Sequence, residues 1–366
     1  MTCDLIGLAN PGISSLQPYH PGKPIEELER ELGIRNIIKL ASNENPAGTS
    51  PRVLEALARI KDYARYPDGN GFILKQALAR YHGVQPDQIT LGNGSNDILE
   101  LVARAFVSNR HQIIFSQHSF AVYPLVAQVI GAEAVVTPAR NWGYDLDAVV
   151  AAVTDRTRLI FIANPNNPTG TWFGRAEFER LLSRLPDHVI LVMDEAYYEY
   201  AAEAGVPNAV EWVAEHPNLV VARTFSKVYG LAGLRVGYAV SHRDAADLMN
   251  RVRQPFNVNS AALLAAETAL QDSEHLQRCL ELNRSGMQQL IAGFDRMGIG
   301  YIPSLTNFIC IDLEQPALPV YQKLLREGVI VRPVDNYGMP DHLRITVGLP
   351  EENELFLAAL ARVLAA

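Results

Sequence analysis

The chain has 366 residues, and 32 Lys plus Arg against 40 Asp plus Glu give a formal charge of −8. Hydrophobic residues make up 48% and charged residues 20%, which excludes a largely disordered polypeptide. The mild acidity excludes a broad basic footprint for nucleic acid or an anionic membrane, and the length predicts about two domains.

Residues 1–10 hold no basic stretch followed by an apolar run, so no secretory signal is expected. Clusters of Pro, Gly and Asn at 18–24, 43–51, 67–71 and 164–170 read as loops. A short run at 88–91 leads into Gly92-Asn93-Gly94-Ser95 and then a helical pattern through Ile98, Val102 and Phe106. Further apolar runs follow at 113–115, 159–163, 189–193 and 219–222. They are strand-length and lack strict alternation, as strands buried on both faces do. Helical patterns lie between them, for example Phe178, Leu181, Leu182 and Leu185. This order predicts an α/β fold with a mostly parallel central sheet and helices on both faces. From 261 to about 297 the pattern is continuously helical, then short strands are expected at 308–313, 329–332 and 343–347, and a last helix after Pro350. We therefore expect a large domain at 45–260 and a smaller α+β domain from 1–44 plus 261–366. No apolar stretch reaches the roughly 18 residues that cross a bilayer. Cys3, Cys279 and Cys310 form no C-x-x-C, which argues against a disulfide framework or zinc site and for a reducing, cytoplasmic setting. The histidines lack the spacing of a metal site.

Ligands of open parallel α/β sheets sit beyond the carboxyl ends of the strands. There the sequence puts Gly94 and Ser95 at a helix start, Asn164 to Gly170, Asp194 to Tyr197, and Ser226-Lys227. A glycine turn opening a helix suits a phosphate. A lysine among Phe225, Val228, Tyr229 and Leu231, with Arg235 eight residues on, suits an amine nucleophile, which desolvation and nearby cations keep partly neutral. A carboxylate after five apolar residues requires a cationic or hydrogen-bonding partner.

In order, Y-P-D (66–68), G-N-G-S-N-D (92–97), N-P-N-N-P-T-G (164–170), D-E-A-Y (194–197) and T-F-S-K-V-Y-G-L-A-G-L-R-V-G-Y (224–238) resemble the pyridoxal-phosphate-dependent aminotransferases of fold type I. Within that family the chain is most similar to the histidinol-phosphate aminotransferases, through P-Y-H-P-G-K-P (18–24), K-L-A-S-N-E-N-P (39–46), V-I-V-R-P-V (329–334) and H-L-R-I-T-V-G (342–348). Aromatic-amino-acid aminotransferases of the same branch share several of these.

The resemblance implies pyridoxal 5'-phosphate as cofactor and a set of roles. Lys227 would carry the cofactor and move the substrate proton, Asp194 would pair with its ring nitrogen, and Asn167 and Tyr197 would bond its ring oxygen. Phe120 aligns with the ring-stacking aromatic, although by itself it reads equally as a core residue. Gly94, Ser95, Asn96, Ser226 and Arg235 would hold the phosphate, with Thr224 beside them. Tyr66 matches a tyrosine that reaches the phosphate of a neighbouring subunit, which implies a homodimer with shared sites; alone it reads as a loop aromatic. Arg344, with Arg332 on the next expected strand, would take the substrate anion. Tyr19, Asn45 and Asn307 would line the substrate pocket, the last two also reading as turn residues. The implied reaction is transfer of the amino group of L-histidinol phosphate to 2-oxoglutarate, giving imidazole acetol phosphate and glutamate. An aromatic-amino-acid aminotransferase and a threonine-phosphate decarboxylase are the alternatives. A DNA-binding regulator on the same fold conflicts with the acidic charge.

Overall fold

A computed structural model describes residues 3–10, 12–18 and 22–365. The apolar runs become a seven-stranded sheet: β1 (Ile89–Gly92), β2 (Gln112–Ser116), β3 (Glu133–Thr137), β4 (Thr157–Ala163), β5 (Ile190–Asp194), β6 (Leu219–Thr224) and β7 (Gly237–Ser241). Their order across the sheet is β1-β7-β6-β5-β4-β2-β3. All neighbours are parallel except β7, which runs antiparallel to both β1 and β6.

Alternation along each strand explains why both faces are apolar. Ile160 and Ile162 of β4 enter one core with Leu191, Met193 and Val221. Leu159, Phe161 and Ala163 enter the other with Val192, Val220 and Ala222. Helices cover both faces, and the mostly parallel α/β architecture is the one expected. Because β1, β4, β5 and β6 run the same way, Gly92, Ala163, Asp194 and Thr224 end on one edge of the sheet. Gly237 opens β7 opposite both Gly92 and Thr224. A side chain there would lie 2.5 Å from the Ser95 nitrogen and 2.8 Å from the Arg223 carbonyl oxygen, so glycine lets these strand ends close together.

The second sheet is antiparallel, with order β8 (Gly300–Ile302), β9 (Phe308–Asp312), β11 (Met339–Thr346), β10 (Arg332–Val334). The strand expected at 329–332 splits. Val329–Ile330 pairs in parallel with Ile38–Lys39, whereas Arg332 faces Arg344 across β10 and β11. Ile38 and Leu40 share this sheet's core with Leu290, Phe294, Ile309, Ile345 and Phe356.

The helical stretch at 261–297 also divides, into Ser260–Leu270 and Ser273–Met297, with Asp272 capping the second by accepting the His275 N–H at 3.2 Å. Ala262, Ala265, Ala266 and Ala269 lie in the core of the large sheet, as does Cys279, while Met287, Leu290 and Phe294 on the same long helix lie in the second core. The small alanine side chains let the Ser260–Leu270 helix lie close against the first core, so the changeover falls within the 25-residue helix. Among the described residues no helix is long and apolar enough to cross a membrane.

Candidate active site

The edge of the large sheet where β1, β4, β5 and β6 end meets the second sheet across a cavity of about 290 Å³. Its floor is Asp194, the last residue of β5, 5% exposed. The Asp194 carboxylate accepts the Tyr123 O–H at 3.0 Å and the Ala196 N–H at 3.3 Å. Both partners are neutral, and burial pushes this carboxyl up to about 6 against those two hydrogen bonds and the more distant charge of Lys227. A cation arriving in the cavity would complete it.

Lys227 follows β6 and places its Nζ 5.5 Å from the centre of the Tyr197 ring. Asn43 Nδ2 donates to the Tyr197 hydroxyl at 2.8 Å, so the Tyr197 proton is directed to another acceptor. Asn43 is held in turn by Thr346 of β11, whose Oγ1 accepts the Asn43 N–H at 3.0 Å.

At one end of the cavity stands the helix Ser95–Phe106, whose start carries no side-chain cap among the described residues. Its first N–H groups therefore present partial positive charge toward the Ser226 hydroxyl and Arg235. Gly94 has φ +82°, a left-handed conformation that favours glycine, and the absence of a Cβ leaves room for the tip of the Arg235 side chain. Arg235 Nη1 donates to Ser226 Oγ at 3.3 Å, and Thr224 Oγ1 donates to the same oxygen at 3.0 Å.

At the other end Arg332 and Arg344 lie directly opposite each other on one face of the second sheet, 9% and 5% exposed. Like charges in that register repel. Arg344 donates to Asn167 Oδ1 at 2.6 Å and to the Ala41 carbonyl at 2.8 Å, while its buried Nε has no hydrogen-bond partner among the described residues. Two buried guanidiniums with an unspent donor make a site for an anion. Fixing Asn167 Oδ1 on Arg344 also sets the opposite end of that amide, the N–H donor, toward another group.

The sequence model of the aminotransferase class I and II family matches residues 35–360. The chain belongs to that family. It is 59% identical over 368 aligned positions to histidinol-phosphate aminotransferase 2 of Pseudomonas fluorescens, with both chains covered in full. It is 56% identical to histidinol-phosphate aminotransferase 1 of Nitrosococcus oceani, over 98% of this chain and 97% of that one. The crystal structure of histidinol-phosphate aminotransferase from Sinorhizobium meliloti in complex with pyridoxal-5'-phosphate is similar with a TM-score of 0.91 at 30% identity, covering 98% and 97% of the two chains.

In this aminotransferase the cavity gathers Ser95, Asn96, Phe120, Asn167, Asp194, Tyr197, Thr224, Ser226, Lys227, Arg235, Arg332 and Arg344, with Gly94 beneath Ser95. Three expected residues are elsewhere. Asn45 does not line the cavity: its Nδ2 donates to the Val228 carbonyl at 2.7 Å and its Oδ1 accepts the Ala47 N–H at 2.9 Å. Asn307 lies behind the wall and donates to the Asn43 carbonyl at 3.0 Å. Tyr66 is 81% exposed and stacks on Phe256 at 4.6 Å, away from the cavity of its own chain. Tyr19 lies outside the described residues. Two contributors went unread, Asn43 and Tyr123. A hydroxyl in the mostly apolar helix Val122–Ile130 was the available signal for Tyr123, since a buried phenol seeks an acceptor.

Proposed function

We propose that the chain is a pyridoxal-phosphate-dependent aminotransferase that transfers the amino group of L-histidinol phosphate to 2-oxoglutarate, in histidine biosynthesis. The observation that carries this reading is a buried arginine pair, Arg332 and Arg344, facing the cavity that also contains Lys227 and Asp194. The full-length identity of 59% to a histidinol-phosphate aminotransferase supports the same choice.

The residues fit the cofactor group by group. The helix start at Ser95 and Asn96, Ser226, Thr224 and Arg235 would hold the phosphate. The Asp194 carboxylate, supplied here only with neutral donors, would accept from a protonated ring nitrogen. Asn167 and Tyr197 would donate to the ring oxygen. When bound, pyridoxal phosphate supplies an electron sink that stabilises negative charge at the substrate carbon. Lys227 would hold the cofactor through Nζ and then take and return the substrate-carbon proton. Phe120, half-buried at the cavity wall, would shield one ring face from water.

Arg344 and Arg332 serve the two substrates in turn. Histidinol phosphate has no α-carboxylate, so its phosphate dianion would engage both guanidiniums. Glutamate would place a carboxylate there. A dianion neutralises the repulsion of a buried arginine pair better than a single carboxylate does, which favours the phosphorylated substrate over phenylalanine or tyrosine.

The reading includes a homodimer in which Tyr66 reaches the phosphate of the neighbouring chain. It is supported by the exposure of Tyr66 beside exposed Phe72 and Ile73. Three unpaired cysteines, one of them exposed, support a cytoplasmic location.

Reconstituting Lys227→Ala with pyridoxal phosphate tests the core of this reading: the absorption band of the lysine-bound cofactor should be absent, and its persistence overturns the assignment. Comparing kcat/KM for histidinol phosphate with that for phenylalanine and tyrosine tests the substrate. A higher value for either aromatic amino acid overturns it, as does carbon dioxide release without 2-oxoglutarate.

A further inference from the structure

We propose that Asn45 is a positioning residue for Lys227, acting through a strap at residues 43–50 that grips the turn carrying the lysine. This rests on the reading of Lys227 as the cofactor lysine.

The turn spans residues 227–230 and is closed by the Gly230 N–H donating to the Lys227 carbonyl at 3.0 Å. That bond leaves the Val228 and Gly230 carbonyls pointing out of the turn. Both are taken by the strap. Asn45 Nδ2 donates to Val228 O at 2.7 Å, and Thr49 Oγ1 donates to Gly230 O at 2.8 Å. Between them the backbones touch. Gly230 has φ +65°, and a Cβ there would overlap the Gly48 carbonyl, so the strap and the turn meet with no side chain between them.

The Asn45 amide has one orientation. Its Oδ1 accepts the Ala47 N–H at 2.9 Å, which leaves Nδ2 for Val228 O and for Cys279 Sγ at 3.1 Å. Burial pushes the Cys279 thiol up, so the sulfur is a weak neutral acceptor and the carbonyl is the stronger partner. The far end of the strap is anchored as well, because Ser50 Oγ donates to buried Asp272.

A lysine that must both hold a cofactor and shuttle a proton depends on small displacements of its backbone, and misplacement by about 1 Å costs up to about 100-fold in rate. The strap fixes both outward carbonyls of the turn that bears it. The alternative is that the strap only staples two loops together, which would lower stability and leave Lys227 unaffected.

Asn45→Asp keeps the acceptor for Ala47 and removes the donor to Val228. Thr49→Val removes the second donor at nearly constant volume, and serves should the first variant fail to fold. In the holoenzyme each should lower kcat by about tenfold with KM for both substrates within about twofold. Each should also move the pH midpoint of the lysine-bound cofactor's absorption band. In the cofactor-free chain, amide hydrogen exchange at Gly230 and Leu231 should accelerate by about tenfold, since local opening is what such exchange measures. Cys279→Ala should leave all three readouts unchanged. Unchanged kcat, band midpoint and Gly230 exchange in variants that melt earlier would overturn the proposal. If the wild-type chain shows no lysine-bound band, the functional reading fails, and the exchange measurement still decides whether Asn45 holds the turn.

Discussion

At one end of the cavity an anion would meet the uncapped start of the Ser95–Phe106 helix, the Ser226 hydroxyl and the exposed guanidinium of Arg235. At the other it would meet Arg332 and Arg344, buried and in register on neighbouring strands. The first end spreads its positive charge over backbone dipoles and one solvated cation, so it costs little to keep open to water. The second concentrates two full charges away from water, and its stability depends on what neutralises them. The difference suits a resident group at the first end and exchanging substrates at the second.

Four measurements would break or sharpen that contrast, the first having the largest expected effect. Arg344→Ala removes the donors to Asn167 and to the Ala41 carbonyl, leaving buried acceptors unpaired. kcat/KM should fall about 1,000-fold for both substrates, about 4 kcal/mol, with cofactor affinity changed far less. A loss below tenfold would mean the second end is not charge-critical.

The floor between the ends comes next. Burial lifts Asp194 to about 6, above the roughly 3.9 of an unfolded aspartate. The folded, cofactor-free chain therefore binds the extra proton between those values, and its stability falls as pH rises from about 4 through about 6, by up to about 3 kcal/mol. Denaturant unfolding at several pH values should show this fall in the wild type and a shallower one in Asp194→Asn.

Arg332→Ala should cut kcat/KM about 30-fold for histidinol phosphate and less than about threefold for glutamate, at least about 1.4 kcal/mol of selectivity. Equal losses would undo the division of labour between the two arginines. Arg235→Ala should be mildest, weakening pyridoxal phosphate binding by about tenfold or less, with the deficit shrinking at high salt because the group is solvated.

Much of this was legible because the fold sends chemistry to strand ends. The run at 159–163 became Thr157–Ala163, and the run at 189–193 ended on Asp194. Local motifs name Lys227, Ser226 and Asn167, and all three line the cavity. What escaped depends on contacts remote in sequence. Asn43 reaches Tyr197 across 154 positions and Thr346 across 303, and no periodicity encodes that. Asn45 sits two residues from Asn43, but its Asx turn to Ala47 sends its amide to Val228 instead of the cavity. The β7 strand starts at Gly237, at the very end of the motif after Lys227, and its antiparallel pairing on both sides leaves no signature in a short apolar run.

The helix Ser273–Met297 has a mechanical consequence. At 1.5 Å per residue its 25 residues make a rod about 37 Å long, rooted at Cys279 in one core and at Leu290 and Phe294 in the other. A tilt of about 5° over that length carries its far end about 3 Å, more than the whole 2.6 Å span of the bond between Arg344 and Asn167. The helix is thus one shared strut between the two cores, and direct bonds across the cavity, such as Arg344 to Asn167 and Asn43 to Tyr197, hold its two walls in register against such a tilt.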